Sequence, residues 1–167
     1  MTHMTEQTDH QRARDKLWTF MEQFHAAMFV TREQSGALAS RPMSPIVKSD
    51  EGLIYILTET TSDSARSVRA EPLALLTFAD GKRFISTSVR ADVSEDRILI
   101  ERLWNPGAQA FWPEGPSNPR LCALVLHPQT GEYWEGDNTI STVIQIVVGA
   151  VTGRQPNPGE HGQAQLS

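Results

Sequence analysis

Short runs of aliphatic and β-branched residues, each ended by a turn-forming sequence, constrain the fold of this chain most strongly. Gln34-Ser35-Gly36, Asp50-Glu51-Gly52 and Asp80-Gly81 are such turns, and glycine after a polar residue is typical of hairpins. A further turn is expected at Pro128–Gly131, before a short strand that contains Tyr133. Tight turns join antiparallel strands, whereas parallel strands need long crossovers. The pattern therefore predicts a mainly β fold, an antiparallel sheet of six to seven strands that closes into a barrel with peripheral helices.

The two ends of the chain differ in composition from the rest. Residues 1–13 contain no aliphatic or aromatic residue beyond Met and Ala, and residues 153–167 contain two prolines and three glycines. Such segments bury too little apolar surface to offset the entropy cost of ordering. We therefore predict one domain over residues 14–152, which ends in a helix at Thr139–Thr152, with flexible tails at 1–13 and 153–167.

The charge and hydropathy of the chain exclude several classes of partner. Its 15 Lys and Arg against 20 Asp and Glu give a net charge of −5, which offers no attraction to nucleic acid or to an acidic membrane. No apolar run reaches the ~18 residues of a membrane span, and the polar start has no signal-sequence core. The sequence therefore predicts a cytoplasmic protein that binds neither nucleic acid nor membrane.

Residue types that carry catalysis or bind metals are few and scattered. The five histidines have no helical partner at the spacing of a zinc site, and no phosphate-binding or dinucleotide-binding glycine motif occurs. The single cysteine, Cys122, lies in the apolar run Leu121–Leu126, where a buried and unreactive thiol is expected. The sequence therefore predicts no metal site, and any redox or group-transfer chemistry would depend on a cofactor.

Two segments depart from ordinary strand and turn patterns. In Ser40–Pro45, Arg41 and Met43 fall on one face of a strand that lacks two amide donors, which leaves backbone groups free to meet a planar ring. In Leu57–Arg66, hydroxyl residues cluster where a strand ends and a short helix starts. The amides of a helix start attract anions, but Asp63 opposes this attraction. From these residues alone, an anion site and a plain capped turn beside a surface arginine both remain open.

These two segments and several others occur in the order found in a known family. The matching sequences are Arg41-Pro42-Met43, Leu53–Thr58, Arg69-Ala70-Glu71-Pro72, Leu103-Trp104-Asn105-Pro106, Phe111–Pro116, Asn118-Pro119 and Tyr133-Trp134. Over about Leu17 to Trp134, the chain resembles the FMN-binding split-barrel proteins related to pyridoxamine 5′-phosphate oxidase, in the general stress protein 26-like branch. The resemblance implies a split barrel and a homodimer, with one FMN in each of two clefts at the subunit interface.

The resemblance also implies which residues hold the cofactor. Arg41 and the backbone that follows it lie along the flavin, and Thr58 meets the ribityl phosphate. Trp112 and Trp134 match aromatic segments near the cleft, with plain core packing as an equal alternative. The full set of implied cofactor-binding residues is Arg41, Pro42, Met43, Ser44, Leu57, Thr58, Asp63, Ser64, Arg66, Arg83, Trp112 and Trp134.

Some residues depart from the family pattern. Ser64 stands where relatives carry a phosphate-binding lysine, and Asp63 stands where the oxidases carry arginine, so that Arg66 or Arg83 would have to compensate. The C-terminal region also lacks the arginine and histidine that hold pyridoxal phosphate in the oxidases proper. True pyridoxamine-phosphate oxidase activity is therefore not expected.

Two functions remain open at this point. The first is an FMN-dependent oxidoreductase that passes hydride or electrons between a reduced nicotinamide and a small-molecule acceptor. The second is a non-catalytic split barrel that binds FMN or another planar ligand, such as a deazaflavin or haem, in a stress response. The sequence identifies neither the substrate nor the electron donor.

Overall fold

The computed structural model describes residues 2–136 and 160–166, with the side chains of 10–136 and 161–166. The helices are α1 (Thr2–Met21), α2 (Asp63–Ala70), α3 (Arg97–Leu103) and α4 (Pro106–Phe111). The strands are β1 (Ala27–Arg32), β2 (Leu38–Met43), β3 (Ile46–Lys48), β4 (Leu53–Glu59), β5 (Leu73–Ala79), β6 (Arg83–Ser94), β7 (Leu121–Glu135) and β8 (Glu160–Gln165). The helix expected at Thr139–Thr152 lies outside the described residues.

All eight strands of the described part form one antiparallel sheet. Its order is β2-β1-β5-β6-β7-β4-β3, and β8 is added to β7. The two ends of this path, β2 and β3, are separated in the chain by only Ser44 and Pro45. Because the three Cα–Cα steps from Met43 to Ile46 span at most about 11 Å, the sheet must curl until its ends meet at this corner. The predicted mainly β, barrel-like fold is confirmed. The sheet has eight strands, one more than the six to seven that were predicted.

The barrel core follows from alternation along the strands. On β1, Ala27, Phe29 and Thr31 are buried while Met28 is exposed, as expected for a strand with one face in the core. Side chains from α1 and α2 complete this core, which includes Leu17, Met21, Phe29, Ile54, Ile56, Val68, Leu76, Phe78, Ile85, Leu124 and Leu126. The alternating pattern therefore fixes which side of each strand faces the interior.

A second apolar cluster lies on the other face of β4 and β7. It is covered by α3 and consists of Tyr55, Ile100, Leu103, Leu121 and Ala123, with Trp104 and Trp112 packed against it. The guanidinium of Arg97 donates to the carbonyl oxygens of Asn118 (2.9 Å) and Leu121 (2.5 Å). These bonds attach the start of α3 to the segment that follows α4 and to the first residue of β7.

The structure corrects the prediction of a turn at Pro128–Gly131. β7 is a single strand through this segment, and the register with β6 shifts between Ser88 and Val89. The bulge takes up one extra residue of β7. Pro128 lies between the part of β7 that pairs with β4 and the part that pairs with β8. The missing proline amide therefore removes no hydrogen bond from the pairing with β4 or from the pairing with β8, and the chain does not need to turn.

The chain ends also differ from the prediction of tails without structure. Helix α1 begins at Thr2, within the segment 1–13 that was predicted to be a flexible tail, and residues 160–165 form β8. Ala164 and Leu166 are each only 3% exposed. Backbone hydrogen bonds to β7 hold this segment in place despite its low apolar content. A strand with one face in the core also needs apolar residues only at alternate positions. The predicted domain end at residue 152 therefore excludes a strand of the core. None of the described helices is long and apolar enough to cross a membrane.

Candidate functional site

A cleft of about 470 Å³ opens at the corner where the two ends of the sheet meet. Its walls come from the β2–β3 corner, the end of β4 and helix α4 with the residue that follows it. The lining residues are Ala26, Pro42, Met43, Ser44, Ile46, Leu57, Thr58, Asn105, Gly107, Ala108, Phe111 and Trp112. The volume falls in the usual range for small-molecule sites.

Helix α4 is positioned by the cap residues at its two ends. Asn105 caps its start, where Oδ1 accepts from the Ala108 amide (3.0 Å), and Pro106 follows at the first helical position. At its end, the Trp112 amide donates to the Ala108 carbonyl oxygen (2.9 Å). The Gln109 side chain accepts from Trp104 Nε1 (3.1 Å) and donates to the Pro113 carbonyl oxygen (3.0 Å). These bonds hold Trp112 in the wall of the cleft.

The described lining residues are largely apolar and none of them carries a charged side chain. Their hydroxyl groups belong to Ser44, at the β2–β3 corner, and to Thr58, near the end of β4. Thr58 is 8% exposed, so a ligand that reaches it is largely removed from water. Such a lining suits an uncharged planar ring with a few polar edge atoms.

A cluster of charged residues lies where β2 approaches the start of α2. Arg41 Nη2 lies 3.0 Å from Glu33 Oε1 and 3.6 Å from Asp63 Oδ2. Asp63 also pairs with Arg66, which donates to the Thr61 carbonyl oxygen at 2.7 Å. We call Glu33, Arg41, Asp63 and Arg66 the arginine–carboxylate cluster. It is next to the cleft because Arg41 precedes Pro42 and Met43 on the same strand.

The structure brings ten of the twelve sequence-predicted site residues to one region. Six line the cleft: Pro42, Met43, Ser44, Leu57, Thr58 and Trp112. Arg41, Asp63 and Arg66 belong to the arginine–carboxylate cluster, and Ser64 adjoins it. Ser64 is only 1% exposed. Its hydroxyl is therefore buried and does not face a ligand from solvent.

Arg83 and Trp134 lie elsewhere in the protomer. Arg83 is bound by Asp80 (2.6 Å) and Gln23 (2.5 Å), and its guanidinium lies over the Phe20 ring. The expectation that Arg83 could replace the missing cations is therefore corrected, because its contacts hold it at the β5–β6 turn. The ring of Trp134 stacks on His161 of β8, with centroids 5.1 Å apart.

Sequence reasoning missed the contribution of α4 and of Glu33. Asparagine followed by proline, as in Asn105-Pro106, is typical of a helix start and is the signal that could have indicated α4. Glu33 lies outside the segments that the sequence singles out, and its pairing with Arg41 across the β1–β2 hairpin carries no local signal. In the described part, no group of three or more His, Cys, Asp or Glu side chains could hold a metal ion.

The residues fit one part of a flavin nucleotide better than the other. The apolar lining with two hydroxyls matches an isoalloxazine ring, which is planar, uncharged and edged with polar atoms. The arginine–carboxylate cluster matches a phosphate less well, because both of its arginines are already paired with carboxylates. The ring therefore fits this cleft, whereas a phosphate would have to displace existing ion pairs.

Comparison with known proteins agrees with the fold. The family model for proteins like pyridoxamine 5′-phosphate oxidase matches residues 12–157. No curated protein is significantly similar to the chain in sequence.

Among solved structures, a candidate general stress protein 26 from Jannaschia sp. CCS1 has 23% identity and a TM-score of 0.68, with 99% of each chain covered. The general stress FMN/FAD binding protein from Xanthomonas citri has 21% identity and a TM-score of 0.66, with 77% of this chain and 92% of that chain covered. A protein related to general stress protein 26 from Clostridium acetobutylicum has 18% identity and a TM-score of 0.66, with 74% and 89% covered. At these identities the likeness shows a shared split-barrel fold. Because the family model matches most of the sequence, the chain belongs to the pyridoxamine 5′-phosphate oxidase-like family.

Proposed function

We propose that this chain is a flavin-binding protein whose cleft holds the isoalloxazine ring. The observation that carries the proposal is the lining of the cleft, which combines apolar walls, the Trp112 ring and the hydroxyls of Ser44 and Thr58. The family match and the Xanthomonas citri neighbour, which is named for FMN/FAD binding, support the same ligand class. FMN is the flavin that the sequence resemblance implies.

The proposed activity is that of an oxidoreductase. A bound flavin supplies hydride or electron transfer, and the chain binds and orients it. Pro42 and Pro45 stiffen the corner of the cleft, because proline fixes its own φ and restricts the residue before it. Ala108 and Trp112 close the opposite wall and exclude water from the ring. Among the described residues, no titratable side chain lines the cleft.

The same absence of titratable lining residues favours a second candidate, a non-catalytic flavin-binding protein. The two candidates differ in turnover. Purified protein that is yellow and releases flavin on heating supports the flavin site. Bleaching by reduced nicotinamide, followed by repeated reoxidation with a small acceptor, supports the oxidoreductase. Bleaching without turnover supports the binding protein.

Two variants test whether the flavin lies in the cleft. We expect Trp112→Ala to weaken flavin binding by about tenfold, since loss of an aromatic contact costs roughly 1–1.5 kcal/mol. Ile98→Ala is the control, because Ile98 is an exposed apolar residue on α3 that does not line the cleft. Fluorescence-quenching titration of the flavin-free protein measures both. Equal affinities in the two variants would place the flavin elsewhere.

We further propose that the protein forms a homodimer through the outer face of β2, β1, β5 and β6. Two cross-strand rows on this face carry no charge. They are Pro42, Met28, Thr77 and Ser86, and Ser40, Val30, Leu75 and Ser88. A solvent-facing sheet surface is ordinarily polar and charged, and an uncharged face can pack against a second copy of itself. Pro42 also lines the cleft, so a partner seated here would adjoin the flavin.

A charge placed on this face tests the dimer. Met28 is 40% exposed, and we expect Met28→Arg to sediment as a monomer at micromolar concentration. Ile98→Arg is the control, because Ile98 is 79% exposed and lies on α3. Wild-type protein that sediments as a monomer, or a Met28→Arg protein that remains dimeric, would contradict the proposal.

A further inference from the structure

The charges around the loop between β4 and α2 are fully paired in the structure. Four arginines surround this loop, and each lies within 4.0 Å of at least one carboxylate. These arginines are Arg41 (beside Glu33 and Asp63), Arg66 (beside Asp63), Arg69 (beside Glu95) and Arg120 (beside Glu59 and Glu114). Four positive charges therefore face five negative ones, and the loop region has no excess of positive charge.

This loop is where the tail of a flavin bound in the cleft has to lie. Met43 and Thr58 line the cleft, and Arg41 is two residues from Met43, about 7 Å along β2. Asp63 follows Thr58 after one short turn and contacts Arg41. The tail of a flavin whose ring lies in the cleft therefore meets the arginine–carboxylate cluster.

Within that cluster, Asp63 occupies both arginines. One carboxylate oxygen lies 3.6 Å from Arg41 and the other pairs with Arg66. A phosphate that approached Arg41 or Arg66 would have to displace this carboxylate or lie beside it, and two anions at close range repel each other. A neutral hydroxyl at the same place meets no such repulsion.

We propose that Asp63 is a specificity-determining residue, which removes the advantage of a phosphorylated flavin and lets riboflavin and FMN bind with similar affinity. This inference rests on the proposed flavin site. FMN differs from riboflavin only in the terminal phosphate, so the ratio of their dissociation constants isolates the contribution of the cluster. In wild-type protein we expect the two constants to agree within about threefold, since the net gain from the phosphate is near zero when each arginine is already paired.

The test is a fluorescence-quenching titration of flavin-free protein with riboflavin and with FMN at low salt. We expect Asp63→Asn to tighten FMN by about tenfold, the size of one charge-assisted hydrogen bond, and to leave riboflavin unchanged. Asp92→Asn is the matched control, because it removes an equal charge at an exposed position that pairs with His127 on β7. Glu33→Gln is a second variant, which removes one of the two carboxylates beside Arg41 and leaves Asp63 in place, so it should tighten FMN by a smaller factor.

The outcomes separate this inference from the proposed function. Similar wild-type affinities and an FMN-specific gain in Asp63→Asn support the inference. Wild-type protein that prefers FMN by thirtyfold or more, on the order of one strong phosphate contact, overturns it and leaves the flavin site intact. An Asp63→Asn protein whose affinity for FMN equals that of Asp92→Asn also overturns the inference and leaves the flavin site intact. Absence of quenching by either flavin in every variant overturns both.

Discussion

Replacing Gly162 with alanine tests how β8 is held on the sheet. Gly162 pairs directly with Tyr133 of β7. A Cβ atom at position 162 would lie 2.6 Å from the Tyr133 hydroxyl oxygen and closer still to two carbons of its ring. Real Cβ atoms do not approach other atoms so closely, so either the ring or the strand has to move.

The contacts of Tyr133 oppose a movement of its ring. It is 4% exposed, packs edge-on against Phe20 at 5.7 Å, and carries Lys16 Nζ 4.9 Å from its ring centroid. A shift of β8 instead would pull Leu166 from the core. Overpacking of this kind costs about 1–3 kcal/mol, and full exposure of a leucine costs a similar amount. We expect Gly162→Ala to lower the free energy of unfolding by about 2 kcal/mol.

Urea denaturation followed by circular dichroism measures the loss. Gln163→Ala is the control on the same strand, since its side chain is exposed, and we expect a change below about 0.5 kcal/mol. In a Tyr133→Leu background the added methyl has room, so the cost of Gly162→Ala should shrink. Without a clash, alanine would stabilise the chain by restricting the unfolded state. A Gly162→Ala protein as stable as wild type would therefore refute the reasoning.

Three further predictions follow from other parts of the molecule. Burial raises the pKa of the Cys122 thiol to about 11, so we expect alkylation at pH 8 to be slow in the folded protein and fast in urea; rapid native labelling would contradict the buried position. Hydrogen bonds from Arg102 and Tyr55 lower the pKa of Glu51 to about 2 from 4.5. The stability that Glu51 contributes is therefore complete above pH 4.5 and lost as the pH falls toward 2, and acid titration of Glu51→Gln should show a smaller loss over this window than wild type. We also expect Tyr55→Phe to bring the pKa of Glu51, followed by NMR, closer to its ordinary value, because one of the two donors is removed.

Local patterns predicted the elements that depend on neighbouring residues. Period-two alternation placed Arg41 and Met43 on one face of β2, and both are half-buried there while Pro42 is exposed. Ser62 was expected to start a helix, and it caps α2 by accepting from the Ala65 amide. Each of these features is settled within a few residues of the chain, so the sequence signal is sufficient.

Features that depend on distant pairing were not predictable. Pro128 indicated a turn, because only the register with β6 shows that a bulge accommodates it. The position of Arg83 depends on Asp80 and on Gln23, which lies just after α1, and no local pattern brings Gln23 there. In the candidate site, the residues on β2 and β4 could be predicted from the sequence. The wall formed by α4 could be recognised only in the folded structure.

The position of β7 in the sheet has a consequence for the newly synthesised chain. β7 pairs with β4, β6 and β8, yet β4 ends at Glu59 and β7 begins only at Leu121. Until β7 leaves the ribosome, β4 keeps an open edge and uncovered apolar faces, which are the features that promote association between chains. Distant pairing of this kind also slows folding. We therefore expect the tendency of the nascent chain to aggregate to be greatest in the interval between the synthesis of these two strands.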